Sequence, residues 1–172
     1  MSNKVKKAAI FAAKCHKGQV RKYTGKPYIV HPAAVAHTIN SFGYDDDMIC
    51  AAWLHDVVED CGISLDTISD MFGHRVANLV SDLSDVSLPS DGNRAARMLV
   101  NYNHTAQAHK DAKTIKLADL IDNTDCIAKH DKDFAIVYLK EKQRLLDVLT
   151  EGDKDLYNIA KVQVDLFLAS LT

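Results

Sequence analysis

An all-α fold is predicted for this 172-residue chain on three observations. Glycine and proline are scarce, at 7 and 3 residues, so the chain holds few turn punctuators. No long stretch alternates apolar and polar residues or concentrates β-branched ones, as a half-buried strand does. Apolar residues instead recur at three- and four-residue spacing, as in Val5 to Ala13, Ala51 to Val58 and Leu117 to Ile121. Hydrophobic content of 47% and charged content of 26% are ordinary for a globular protein and exclude a disordered chain. At this length one domain with its own core, residues 1–172, is expected.

Helices packed antiparallel are predicted in succession. The first runs from about Asn3 to His16, with Val5, Ala8, Ala9, Ala12 and Ala13 as a narrow apolar stripe. Gly18 to Ile29 holds Gly25 and Pro27 and reads as a loop. Pro32 suits the first turn of a helix, which puts His31 at that helix's start. Asp45, Asp46 and Asp47 favour a helix N-terminus, and that helix is read as continuing through Trp53 and Val58 until Cys61-Gly62 ends it. Ser64 caps a short helix to Phe72, and Gly73 separates it from one reaching Leu83. After a loop from Ser84 to Asp91, helices are expected at about Gly92–Lys110, Asp111–Lys129, Asp133–Leu149 and Asp153–Leu171.

The apolar stretch Ala8–Ala13, closed by Lys14, is too short for a membrane span or a signal peptide. Cys15, Cys50, Cys61 and Cys126 form no CxxC pair and read as reduced thiols of a cytoplasmic protein. The formal net charge of −2 hides an asymmetry: the first 44 residues carry +8 and the remaining 128 carry −10. A basic arm of this kind fits either an anionic partner or a solvated lysine-rich helix face.

Chemistry concentrates in two segments. In Ala51 to Asp60, a helical reading places Ala51, Leu54, Val57 and Val58 on a core stripe. It places His55 with Glu59 on one face, and Asp56 with Asp60 on the adjacent one. In Lys116 to Asn123, Leu117, Leu120 and Ile121 face the core, while Asp119 and Asn123 share a face. A carboxylate among apolar neighbours needs a partner, and both a lysine and a metal ion answer that need. His31, His55, Asp56 and Asp119 together make a nitrogen/oxygen donor set suited to Mn²⁺, Fe²⁺ or Zn²⁺, with positions left for water.

These segments resemble the HD-domain metallohydrolases, and more closely the hydrolase domain of the Rel/Spo family of alarmone enzymes. The matching motifs are His16 to Lys22 with Pro27 to Pro32, then Leu54-His55-Asp56 through Glu59-Asp60, then Lys116 to Asp119 with Asn123. The segments Asp91 to Arg94 and Asp131 to Tyr138 also look like the stand-alone small alarmone hydrolases, and the length leaves no room for a synthetase domain. The resemblance implies an HD-domain helical bundle with a metal site between helices. It implies Mn²⁺-dependent removal of pyrophosphate from the 3′ position of ppGpp and pppGpp, with another divalent metal as a substitute. It further implies His31, His55, Asp56 and Asp119 as metal ligands, Glu59 and Asp60 as the catalytic acidic pair, and Asn123, Arg21 and Lys22 beside the nucleotide.

Arg94 and Arg97 are candidates for neutralising substrate phosphates, and equally fit a solvated helix face. Tyr138 is a candidate for stacking on guanine, though an aromatic at helix spacing is more often core. The sequence departs from the family in a loop at Arg21–Pro27 that is one residue longer than in the long enzymes. It also carries Asp122 where those often have histidine. The expected partner is a small guanosine polyphosphate, with neither nucleic acid nor membrane, and no sequence pattern sets the oligomeric state. Two alternatives retain the fold. One is an HD phosphohydrolase acting on the 2′-phosphate of NADPH or an adenosine alarmone. The other is a non-catalytic nucleotide-binding module, against which stands the retention of both ligands and acids.

Overall fold

The structure is a computed structural model that describes residues 1–171, with the side chains of all but residues 128, 129, 132 and 133. Ten α-helices and one 3-10 turn make up its regular structure among the described residues. They are α1 (Asn3–Cys15), α2 (Val30–Ser41), α3 (Asp46–Leu54), α4 (Val57–Cys61), α5 (Leu65–Phe72), α6 (His74–Leu83), α7 (Arg94–Gln107), α8 (Lys110–His130), α9 (Lys132–Leu146) and α10 (Lys154–Leu171). The predicted all-α class is therefore correct. The chain divides into two compact units, Met1–Ser84 and Asp85–Thr172.

In the first unit α3 is the centre, packed by α1, α2 and α6. It is short and almost wholly apolar, burying Met48, Ile49, Cys50, Ala51, Ala52 and Leu54. Its start is set as expected: Asp45 accepts hydrogen bonds from the backbone N–H groups of Asp47 and Met48, satisfying donors that the first turn leaves open. Ser2 and Ser64 cap α1 and α5 in the same way. On α1 the buried stripe is Val5, Ala8 and Ala12; Ala13, expected on it, is exposed.

One expectation fails here. The helix read as continuous from Asp45 to Cys61 is broken at His55–Asp56 into α3 and α4. Asp56 has φ −97° and ψ −5°, outside the helical repeat. His55 therefore shares no helix with Glu59, whereas Asp56 and Asp60 keep the four-residue helical relation, with the Asp60 N–H on Asp56 O at 2.9 Å. His55 closes one helix and Asp56 opens the next.

In the second unit α8, α9 and α10 pack on one another, burying residues such as Ile115, Leu117, Leu120, Leu139, Leu156, Ala160 and Val164. Asn93 caps α7, and Asp153 accepts from the N–H groups of Asp155 and Leu156 to cap α10. The turn into α10 passes so close to α8 that a Cβ on Gly152 would lie 2.9 Å from Leu117 Cδ1.

Candidate metal centre

The segment between α1 and α2 is folded by its own backbone. An antiparallel bridge joins Val20 to Pro27, with Arg21 N–H donating to Lys26 O at 2.8 Å and Tyr28 N–H to Gln19 O at 2.9 Å. This pins Tyr28 directly before α2, and His31 enters in the first turn with its N–H on Tyr28 O at 2.9 Å. His31 is buried.

At the end of α3 the His55 ring caps its own helix. Its Nδ1 lies 2.8 Å from Ala52 O, so Nδ1 carries the hydrogen and takes up a carbonyl that the terminating helix releases. The Nε2 lone pair is then directed away from the helix. It faces His31 Nε2 at 3.2 Å and Asp56 Oδ2 at 3.1 Å, and the latter is 3.7 Å from His31 Nε2. All three ligand atoms lie within 4.8 Å of one another.

His55 Nε2 and Asp56 Oδ2 are acceptors, and the His31 ring nitrogen completes a cluster of three atoms that can each ligate a metal. A single proton relieves one pair, whereas a cation at the centre relieves all three. Metal–ligand bonds of about 2.1 Å place adjacent ligand atoms about 3.0–3.4 Å apart. Two of the three observed separations fall in that range and the third is slightly longer. Tyr28 donates its hydroxyl to Asp56 Oδ2 at 2.8 Å, fixing the carboxylate as an outer-shell partner does for a metal ligand. Burial first, then the charges and hydrogen bonds of Asp56 and Asp60, push the Tyr28 hydroxyl far above its usual pKa, so it remains a donor.

Glu59 and Asp60 lie on the single turn of α4, at the solvent edge. Gly62 ends the turn in the left-handed conformation at φ 66°, a position glycine takes without strain. Partial burial of its carboxyl, then the neighbouring Asp56 charge, raise Asp60 above its usual pKa of 3.8. The Tyr28 hydroxyl, His16 and His55 pull the other way. An acid with its pKa raised toward the working range suits proton transfer.

The other expected residues are placed as follows. Arg21 lies with its guanidinium 5.9 Å from the Tyr28 ring centroid. Lys22 is exposed and lies over the Tyr23 ring at 4.8 Å. In the second unit Asp119 is buried on α8, paired with Lys116 at 3.3 Å and accepting from Asn123 Nδ2 at 2.6 Å. Asp119 and Asn123 thus share a helix face, as their four-residue spacing predicts. Arg94 forms a two-bond pair with Glu141, at 2.8 and 2.6 Å, and Arg97 donates to Gly92 O at 2.9 Å. Tyr138 is buried, with Lys142 Nζ 5.1 Å over its ring. Burial, then the Lys116 charge, lower the Lys142 pKa.

Three side chains of the first unit were missed as site residues: Tyr28, His16 and Gln19. Each stands in a segment that the sequence resemblance already covers, but none carried a role there. His16 is buried beside Tyr28 with ring centroids 4.9 Å apart.

An HD-domain family model matches residues 8–145. Over 120 residues the chain is 39% identical to a probable guanosine-3′,5′-bis(diphosphate) 3′-pyrophosphohydrolase of Synechocystis sp., covering 68% of this chain and 16% of that protein. It is 38% identical over 120 residues to guanosine-3′,5′-bis(diphosphate) 3′-pyrophosphohydrolase MESH1 of Xenopus tropicalis, covering 67% of this chain and 65% of that one. The chain therefore spans about a sixth of the first relative and just under two thirds of the second. A solved structure of a metazoan ortholog of SpoT, described as hydrolysing ppGpp and acting in starvation responses, superposes with a TM-score of 0.85. It shares 25% identity and covers 99% of this chain and 96% of that one.

Proposed function

The chain belongs to the HD-domain family, and from that premise we infer that it is a Mn²⁺-dependent guanosine-3′,5′-bis(diphosphate) 3′-pyrophosphohydrolase. In this reading it converts ppGpp and pppGpp to GDP and GTP with release of pyrophosphate, in the cytoplasm, as a brake on a stringent-type response. The observation that carries the metal-dependent reading is the crowding of His31 Nε2, His55 Nε2 and Asp56 Oδ2. The names of the relatives support the substrate. The family model runs from residue 8 to 145, which supports residues 1–172 acting as one HD-type domain. Four free cysteines support a reducing compartment, and no helix of the described residues is long and apolar enough to cross a membrane.

His31, His55 and Asp56 would hold the cation, and the family resemblance makes Asp119 the candidate for a fourth ligand. When bound, the ion supplies a water of near-neutral pKa and offsets charge on phosphate oxygen. Tyr28 keeps Asp56 turned toward the two imidazoles. Asp60, with its carboxyl pKa raised, takes a proton as water adds to the 3′-linked phosphorus. The bond from phosphorus to the ribose 3′-oxygen breaks, and a proton returns to that oxygen, with Glu59 beside Asp60 on the same turn. Arg21 and Lys22 meet the nucleotide polyphosphate, Asn123 the ribose, and Arg94, Arg97 and Tyr138 are the further candidates for substrate contact; Arg94 must exchange Glu141 for phosphate, and the buried Tyr138 must be uncovered, to do so. Guanidinium suits bidentate phosphate recognition and ammonium acts as a point charge.

The test is pyrophosphate release from ppGpp by the purified chain with Mn²⁺, beside NADPH and an adenosine alarmone at equal enzyme. Wild type is expected to turn over ppGpp fastest. His55→Ala and Asp56→Asn are expected to lose at least about a thousandfold in kcat while circular dichroism remains helical. Robust turnover by both variants overturns the metal assignment, and faster turnover of another substrate overturns the guanosine one.

A further inference from the structure

We propose that His16 and Gln19 are positioning residues for the acidic pair: a hydrogen-bonded tie from the end of α1 that holds the C-terminal end of α4. The proposal rests on the hydrolase reading above. α4 is only five residues long, a length that does not hold a helix by itself, yet it follows Asp56 directly and carries both Glu59 and Asp60. Its orientation must therefore come from outside. Tyr28 supplies one hold at the start, through Asp56 Oδ2 at 2.8 Å. Gln19 supplies the other at the end: its Nε2 donates to Asp60 O at 3.1 Å and reaches Cys61 Sγ at 3.7 Å. Asp60 O is one of the last-turn carbonyls that a helix cannot satisfy internally.

The direction of each bond follows. With the Gln19 NH₂ on a carbonyl, its Oε1 faces His16 Nδ1 at 2.6 Å, so His16 carries its hydrogen on Nδ1. A flipped amide would set two oxygens against each other at Asp60. His16 Nδ1 is also 3.5 Å from Cys61 Sγ. The ring is 2% exposed, and its Nε2 has no hydrogen-bond partner among the described residues. A buried nitrogen left without a partner is costly, so an apolar ring would serve packing better. What an apolar ring cannot do is donate to Gln19. His16 thus fixes the Gln19 amide, Gln19 fixes the Asp60 backbone, and the Asp60 carboxyl is held next to Tyr28 and Asp56.

Gln19→Met preserves shape and removes both hydrogen bonds. It is expected to lower kcat about 10- to 100-fold, as a small misplacement of a reacting group does. KM and Mn²⁺ affinity should stay within about twofold, and amide exchange at α4 should rise. His16→Asn places an amide N–H where Nδ1 stands and is expected to retain most of kcat, whereas His16→Leu should fall with Gln19→Met. Wild-type kcat and α4 exchange in Gln19→Met overturn the tie. So does His16→Asn falling as far as His16→Leu, because the imidazole is then needed for something other than donation. A wild-type chain that releases no pyrophosphate overturns the hydrolase reading instead, and the exchange measurement alone then decides whether the tie holds α4.

Discussion

Tyr28 serves two carboxylates, donating its hydroxyl to Asp56 and lowering the pKa of Asp60. Its hydroxyl stabilises the charged form of Asp60, against burial and the Asp56 charge that raise that carboxyl. Tyr28→Phe removes a bond that favours the carboxylate, so the Asp60 pKa rises further. With Asp60 as the base, the acidic limb of the kcat/KM–pH profile is expected to move to higher pH in Tyr28→Phe, and Mn²⁺ affinity to fall about tenfold. An unmoved limb in a pH–rate series at saturating Mn²⁺ would separate Tyr28 from Asp60.

Among the helices, α3 is held at its start by a side chain and at its end by a ring. Asp45 caps it, and Arg75 pairs with that carboxylate at 2.9 Å. Although partial burial acts in the opposite direction, the Met48 and Asp47 N–H groups and Arg75 hold the Asp45 carboxyl below its usual 3.8. The cap therefore contributes fully above that pH and is lost as pH falls through the lowered value. Asp45→Ala is expected to cost about 1 kcal/mol at pH 7, the exposed Arg75 pair adding little. In urea unfolding, the gap between variant and wild type should close in strong acid. The same helix shows why its far end was misread. Its apolar run continues in Val57, which is fully buried, so hydrophobic periodicity sees no interruption. The break is made by His55 Nδ1 on Ala52 O and by Tyr28 on Asp56, and neither bond leaves a mark on the apolar pattern.

Across the chain, a cation that binds only the folded state couples the site to global stability. Mn²⁺ at a hundredfold excess over its Kd is expected to add about 2.7 kcal/mol, read as a rise in thermal unfolding temperature that a chelator reverses. His55→Ala should unfold at the same temperature with and without metal; a metal-dependent shift in that variant would place the ion elsewhere. Asp119→Asn should weaken Mn²⁺ binding in the same assay if Asp119 is the fourth ligand, and unchanged affinity would return it to its pairing with Lys116 and Asn123.

Helices whose ends are local are legible in the amino-acid order alone. Ser2, Asp45, Ser64, Asn93 and Asp153 each cap a backbone N–H two or three residues ahead, so the cap and what it satisfies stand side by side in the text. The ligand candidates His31, His55, Asp56 and Asp119 were also legible, because three ordered motifs supply a mixed nitrogen/oxygen donor set where a lone His-Asp pair says little. How α4 is held, and that His16, Gln19 and Tyr28 belong with it, comes from the folded chain. Those bonds join residues 28, 41 and 45 positions apart. A hydrogen bond specifies an atom within about 3 Å and nothing about the length of chain between its partners, so such pairings become visible only when the chain is folded.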